Sequence, residues 1–154
     1  MEELLEGLRA VGVTVLRGES LQLHKEDQWI NLVGVDDITL VSDRLDMKNA
    51  ISWQMLNRFQ SQHYTVLLVH RPELFPVYCD LGFDLALTGH THGGQIRLPW
   101  LGGLFASGEF LPEYDAGLFY QDETAMVVSR GLGNSLFPFR INNRPEVVVV
   151  TLRK

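Results

Sequence analysis

Cysteine is almost missing from this chain, and several other features are scarce with it. One cysteine, Cys79, among 154 residues excludes an internal disulfide and a thiolate zinc site, since both need partners; Cys79 reads as a small buried apolar residue. Acids outnumber bases 19 to 13, for a formal charge of −6 and an isoelectric point near 5.3. That balance excludes a surface built to track nucleic acid or anionic lipid, which needs a basic field. No stretch approaches the roughly 20 apolar residues of a membrane helix. The opening carries Glu2, Glu3 and Glu6 where a secretory leader has basic and then apolar residues. As given, the chain reads as soluble, and cytoplasmic by default. There is no internal repeat, low-complexity segment or linker. What is present is 45% apolar content, enough for the packed core of one domain.

The hydrophobic pattern starts on an amphipathic helix. Leu4, Leu5, Leu8 and Val11 fall on one face, acids lead and Gly12 closes. Strand patterns follow at Val13 to Leu16, Leu21 to His24 and Ile30 to Val35, the last ending in Asp36-Asp37. A second helix is predicted from Asp46 to Phe59. Tyr64 to Val69 is a continuous β-type apolar run, as in a strand covered on both faces, and it ends in His70-Arg71-Pro72. Pro72 can open a short helix through Tyr78. Asp84 to Thr88 is a second buried strand. Beyond Gly94 the texture turns β-rich and loop-rich, with strands predicted at Gln95 to Leu98, Gly117 to Tyr120, Ala125 to Ser129 and Val147 to Leu152. The coarse expectation is one layered α/β domain.

Both buried strands finish on histidine, and ligands of α/β sheets gather at the carboxyl ends of strands. In Gly89-His90-Thr91-His92-Gly93-Gly94 two imidazoles stand two residues apart, so extended chain aims both to one side, with Cα atoms about 6.6 Å apart. The glycines let the backbone turn tightly and admit a ligand. His70 can add a third imidazole. An all-nitrogen set suits Zn, Mn, Fe, Co or Ni rather than Mg or Ca, and it serves one ion or two neighbouring ones. His24 and His63 lie in polar contexts and read as solvated. Every basic residue between His63 and Leu152 is an arginine, whose planar fork matches phosphate oxygens. Asp36, at a strand end, and Arg71, Arg130 and Asn134 are candidate substrate contacts.

The run Leu67-Leu68-Val69-His70-Arg71-Pro72-Glu73, followed by Leu87-Thr88-Gly89-His90-Thr91-His92-Gly93-Gly94-Gln95, resembles the last two metal-binding motifs of calcineurin-like metallophosphoesterases. Leu32 to Asp37, Ser129 to Gly133 and Arg144-Pro145-Glu146 look like a bacterial branch often tethered to the membrane. The resemblance covers essentially the whole chain. It implies a layered α/β/β/α sandwich with a mixed sheet, and hydrolysis of a phosphodiester or phosphomonoester by two divalent transition-metal ions, with Mn, Fe or Zn the favoured choices. By motif position it assigns His70 and His90 to the second metal and His92 to the first.

The resemblance is to half a domain. The family's first half carries an Asp-x-His motif, a Gly-Asp motif with the metal-bridging aspartate, and a Gly-Asn-His motif with a catalytic histidine. None occurs here; Gly133-Asn134-Ser135 has serine where the histidine belongs. The chain looks like the carboxyl-terminal half, and alone it is expected to have little or no phosphoesterase activity. A missing amino-terminal half, or self-association that covers an open sheet, are the expected partners besides the phosphoester substrate. A non-catalytic metal- or partner-binding protein derived from the fold is the alternative. A cupin barrel fits less well, because Gln95 and Ile96 stand where its glutamate belongs and the opening helices do not fit.

Overall fold

The computed structural model describes residues 2–37, 52–106, 108–135 and 138–153. Helix α1 (Glu2–Ala10) is followed by strands β1 (Glu19–Lys25) and β2 (Gln28–Gly34), joined by a two-residue turn in which Glu26 takes φ +55°. The structure is helical over 52–56 (α2), continuing as a 3-10 turn through Asn57–Phe59; the rest of the helix predicted from Asp46 lies outside the described residues. Next come β3 (Thr65–Leu68), a 3-10 turn over Pro72–Leu74, α3 (Phe75–Asp80) and β4 (Leu85–Thr88). Two small hairpins, β5 (Arg97–Leu98) with β6 (Gly102–Gly103) and β7 (Phe105–Ala106) with β8 (Glu109–Phe110), precede β9 (Gly117–Gln121) and β10 (Thr124–Val128).

Six strands form one mixed sheet in the order β1-β2-β3-β4-β10-β9, parallel from β2 to β10, with antiparallel strands at both edges. The parallel centre follows from the sequence: β3 and β4 are continuous apolar runs, and parallel strands need both faces covered. One face packs Val33, Leu67, Ala86, Met126 and Val128 under α2 and α3, where Phe75, Tyr78 and Leu56 complete the core. Pro72 at the start of the 3-10 turn and Pro76 at the start of α3 lack N–H groups that would have no intrahelical partner there.

Two strand expectations fail. Residues 13–16 form no strand; they cross close over β2 instead, and a Cβ on Gly34 would stand 2.5 Å from Leu16 Cβ, so glycine is required. Residues 147–152 also run without secondary structure. Their four consecutive valines are exposed, alternately more and less (73%, 40%, 84% and 40%), and residues 148–152 form one wall of a groove with residues of the outer face of the sheet. Between this segment and Tyr64, Leu85, Leu118, Tyr120 and Val127 is a groove of about 490 Å³. The outer face is apolar by register, from Leu21 and Leu23 through Leu32, Val66 and Leu87. It is open at its rim, where Leu118 is 54% and Tyr120 72% exposed. The apolar stripe of α1 likewise buries no residue.

Candidate metal centre

Sheet register sets His70 beside the glycine-histidine loop. β3 and β4 pair in parallel with Leu68 opposite Leu87, and past the strands Gly89 N–H still donates to the His70 carbonyl at 3.2 Å. Both chains leave the sheet here, and the loop bends sharply: His90, His92, Gly93, Gly94 and Gln95 all take φ between +49° and +71°. Three of these are not glycine, a costly backbone that persists only when its surroundings over-determine it. Those surroundings are specific. A Cβ on Gly94 would lie 2.4 Å from Gly103 Cα, so the loop packs backbone against backbone on β6. Asn143, 3% exposed, donates through Nδ2 to the carbonyls of His92 (2.7 Å) and Gln95 (3.2 Å). Thr91 Oγ1 donates to the Asp115 carbonyl at 2.8 Å, and Asp115 pairs with Arg97, which also donates to the Gly93 carbonyl.

The loop turns the His90 ring onto His70: Nδ1 of His90 and Nε2 of His70 are 3.0 Å apart, with the rings at 66°. Two nitrogen ligands about 2.1 Å from one ion stand about 3.0 Å apart at a right angle and about 3.4 Å apart at the tetrahedral angle. The pair therefore has a spacing that serves either an N–H···N hydrogen bond or adjacent ligands on one ion. The His92 ring has a different neighbour, its Nδ1 3.3 Å from the Gly133 carbonyl. A ring that donates Nδ1–H to a carbonyl leaves Nε2 free as a ligand. Among the described residues, no three His, Cys, Asp or Glu side chains are gathered closely enough to hold an ion. The imidazoles fit a metal as a pair plus one, short of a complete ligand set.

The electrostatics keep the pair neutral. Burial, with the Arg71 cation next in effect, pushes the His90 pKa down to about 4. Burial also lowers that of His70, against an opposing pull from Asp37. Arg71, 8% exposed, is held by two carboxylates: Nε and Nη2 donate to Asp37 at 2.8 and 3.3 Å, and Nη1 donates to Glu73 at 2.9 Å. The same Nη1 lies 3.1 Å from His90 Nε2.

The other sequence-derived candidates fall in two places. Asp36 makes a two-pronged, solvent-exposed pair with Arg17, at 3.0 and 2.9 Å from Nε, while its neighbour Asp37 turns to the histidines through Arg71. Arg130 pairs with Glu146 at 2.8 Å, and Glu146 also accepts from Arg130 N–H, so the two downstream motifs close on each other. Asn134 donates to the Pro138 carbonyl. Arg140 donates to the carbonyls of Arg130 and Gly133, and so braces the loop that meets His92. Glu73 and Asn143 were not singled out by sequence reasoning; Asp37 was weighed only as the second acid of the Asp36-Asp37 pair and Arg140 only as one of five arginines suited to phosphate, neither of them as a support of the histidines.

No family model matches the chain, and no solved structure matches it. Curated relatives do. It is 33% identical over 147 residues to the uncharacterized metallophosphoesterase YkuE of Bacillus subtilis, covering 95% of this chain and 49% of that protein. It is 33% identical to the phosphodiesterase YaeI of Escherichia coli over 96% of this chain and 50% of that protein. A third relative, 31% identical over 95% of this chain and 34% of its own length, is a bovine transmembrane protein with metallophosphoesterase domain; among the described residues here, no helix is long and apolar enough to cross a membrane. Nearly the whole of this chain is thus similar to proteins named metallophosphoesterase or phosphodiesterase, consistent with the carboxyl-terminal half of that family, and it spans about half the length of the curated relatives it matches.

Proposed function

We propose that this chain supplies the imidazole side of a two-metal phosphoester hydrolase, acting on a phosphodiester as the name of one relative suggests, and that it has little or no activity alone. The observation that carries the reading is the 3.0 Å approach of His70 Nε2 and His90 Nδ1, a spacing that serves adjacent ligands on one ion. His70 and His90 would hold one ion and His92 the other. Two ions of the Mn, Fe or Zn kind would supply Lewis-acid charge stabilisation and nucleophile activation. The work of this chain's own residues is to hold three imidazoles at fixed positions. Arg130 and Asn134, in the loop beside His92, are the proposed substrate contacts, and substrate would compete there with Glu146 and the Pro138 carbonyl; Asp36 and Arg71 are engaged by Arg17 and by the Asp37–Glu73 pair.

Three imidazoles without a bridging carboxylate hold metal weakly and do not fix two ions about 3.5 to 4 Å apart. The proposed partner is accordingly the polypeptide layer that brings the carboxylate and amide ligands, seated on the open outer face around Leu118 and Tyr120. The test is hydrolysis of a chromogenic phosphodiester by the purified chain, with Mn or Zn, alone and mixed with the separately expressed first half of a relative. No turnover alone and metal-dependent turnover after mixing, lost in His90→Ala, is the expected result. Robust metal-dependent turnover by the chain alone, also lost in His90→Ala, would overturn the half-site reading.

A further inference from the structure

Arginine has five N–H donors and no acceptor, and this fixes a direction of hydrogen bonding through the histidine pair. Arg71 Nη1 stands 3.1 Å from His90 Nε2, so Nε2 must present its lone pair. A neutral imidazole has one N–H, and in His90 it is then on Nδ1. Nδ1–H in turn donates to His70 Nε2 at 3.0 Å. The chain of bonds runs from Arg71 through His90 to His70, and each link dictates the next.

We infer that Arg71 is a positioning residue that holds His90 in the tautomer unable to ligate through Nδ1, so that the Arg71–His90 hydrogen bond and an ion on the His70–His90 pair exclude each other. This rests on the metal reading of the pair given above. Ligation requires the Nδ1 proton to leave to solvent while Nε2 takes one up; the ring stays neutral and no net proton is lost. Nε2–H then faces the Arg71 N–H, donor against donor, and Arg71 must withdraw. Its guanidinium keeps Asp37 through Nε and Nη2 when it does so. Glu73, already bound to the same Nη1, is the carboxylate at hand to accept the Nε2–H. A carboxylate bonded to the far nitrogen of a ligating histidine is the usual support of such ligands. Arg71 thus separates two arrangements of one site: an arginine-held pair, and a carboxylate-supported pair open to a cation.

The test is long-range proton–nitrogen NMR on histidine-labelled chain, which reports which ring nitrogen carries the proton. In chelator-treated protein near pH 7.5, His90 is expected as Nδ1–H. In Arg71→Lys, which keeps a cation between Asp37 and Glu73 but loses the fork, the population moves toward Nε2–H. Calorimetry is then expected to show zinc affinity higher by about tenfold, the equivalent of about 1.4 kcal/mol. Arg71→Met is the second variant should lysine restore the contact. An Nε2–H tautomer in the wild-type chain, or Nδ1–H unchanged in both variants, refutes the role of Arg71 and leaves the metal reading standing. A variant that shows Nε2–H yet gives no zinc-dependent shift at His70 and His90 refutes the metal reading itself, and the exclusion with it.

Discussion

Replacing Asn143 by alanine tests whether the histidine loop is held by a distant amide. The side chain reaches across 51 positions of sequence to donate to the His92 carbonyl. Gln95 O keeps a second donor, Ile141 N at 3.1 Å, whereas among the described residues His92 O keeps the long bond from Gln95 N at 3.4 Å. The loss at Gln95 is thus one ordinary hydrogen bond, about 1 kcal/mol, and the loss at His92 approaches that of a stranded buried acceptor, about 1 to 3 kcal/mol. Against this, Asn143 Oδ1 is buried and finds no partner among the described residues; removing it regains about 1 kcal/mol. The net expectation is a destabilisation of about 2 kcal/mol, read as a lower urea midpoint at unchanged slope, with His92 ring resonances displaced. Asn143→Asp should cost more than alanine despite its near-identical shape, because it sets carboxylate oxygens against two carbonyls. An aspartate variant as stable as wild type, or an alanine variant within about 0.5 kcal/mol of it, would refute the brace.

Gly94→Ala should destabilise by at least about 3 kcal/mol, combining a left-handed alanine (about 1 to 2 kcal/mol) with a methyl 2.4 Å from Gly103 Cα; Gly7→Ala in exposed α1, with open space around its Cβ, should gain about 0.5 to 1 kcal/mol. Equal effects in thermal melts would show that the loop is not tightly packed. The Arg130 guanidinium lowers the Glu146 pKa below its ordinary 4.5, so its stabilisation is present above about pH 4.5 and is lost as pH falls through the depressed value. Denaturation profiles of wild type and Glu146→Gln should therefore converge on acidification, the gap at neutral pH being under about 1 kcal/mol for so exposed a pair; a gap that widens in acid contradicts the sign. Leu118→Glu with Tyr120→Glu should block reconstitution of activity with a complementary half while changing stability by no more than about 0.5 kcal/mol; undiminished reconstitution means that the outer face is not where that half seats.

The sequence carried the strands and helices whose identity is a matter of local pattern. β3 and β4 are legible because a continuous apolar run bounded by polar residues has few other fates, and their terminal histidines come together because strand register, once set, also fixes the positions of the residues just past each strand. Val147 to Leu152 has the same local pattern, yet it has no strand partner among the described residues; propensity describes a residue's comfort on a pleated surface and not the presence of a neighbour. Asp36 and Asp37 differ by one step of strand parity, which sends one to Arg17 and the other to Arg71, a choice invisible in an Asp-Asp pair. Arg140 and Asn143 act on the histidine loop through carbonyls, and a carbonyl has no residue type to read.

On the reading proposed above, the residues that hold the histidines and the carboxylates that would complete the site have different origins, which would couple assembly to metal. The His70–His90 spacing is fixed by β3 and β4 over a core made within this chain. The charge at that spacing is wrong for a cation: the two rings are neutral, and the closest formal charge to His90 is the Arg71 guanidinium at 3.1 Å, with Asp37 and Glu73 committed to it. Carboxylates from a covering layer would favour the ion directly, and the ion would favour their docking. Such coupling is reciprocal: whatever factor the covering layer adds to zinc affinity, zinc must add to the affinity of the covering layer. On that reading the apolar outer face would give such a layer a place to sit, and the histidine pair would hold it there only when metal is present.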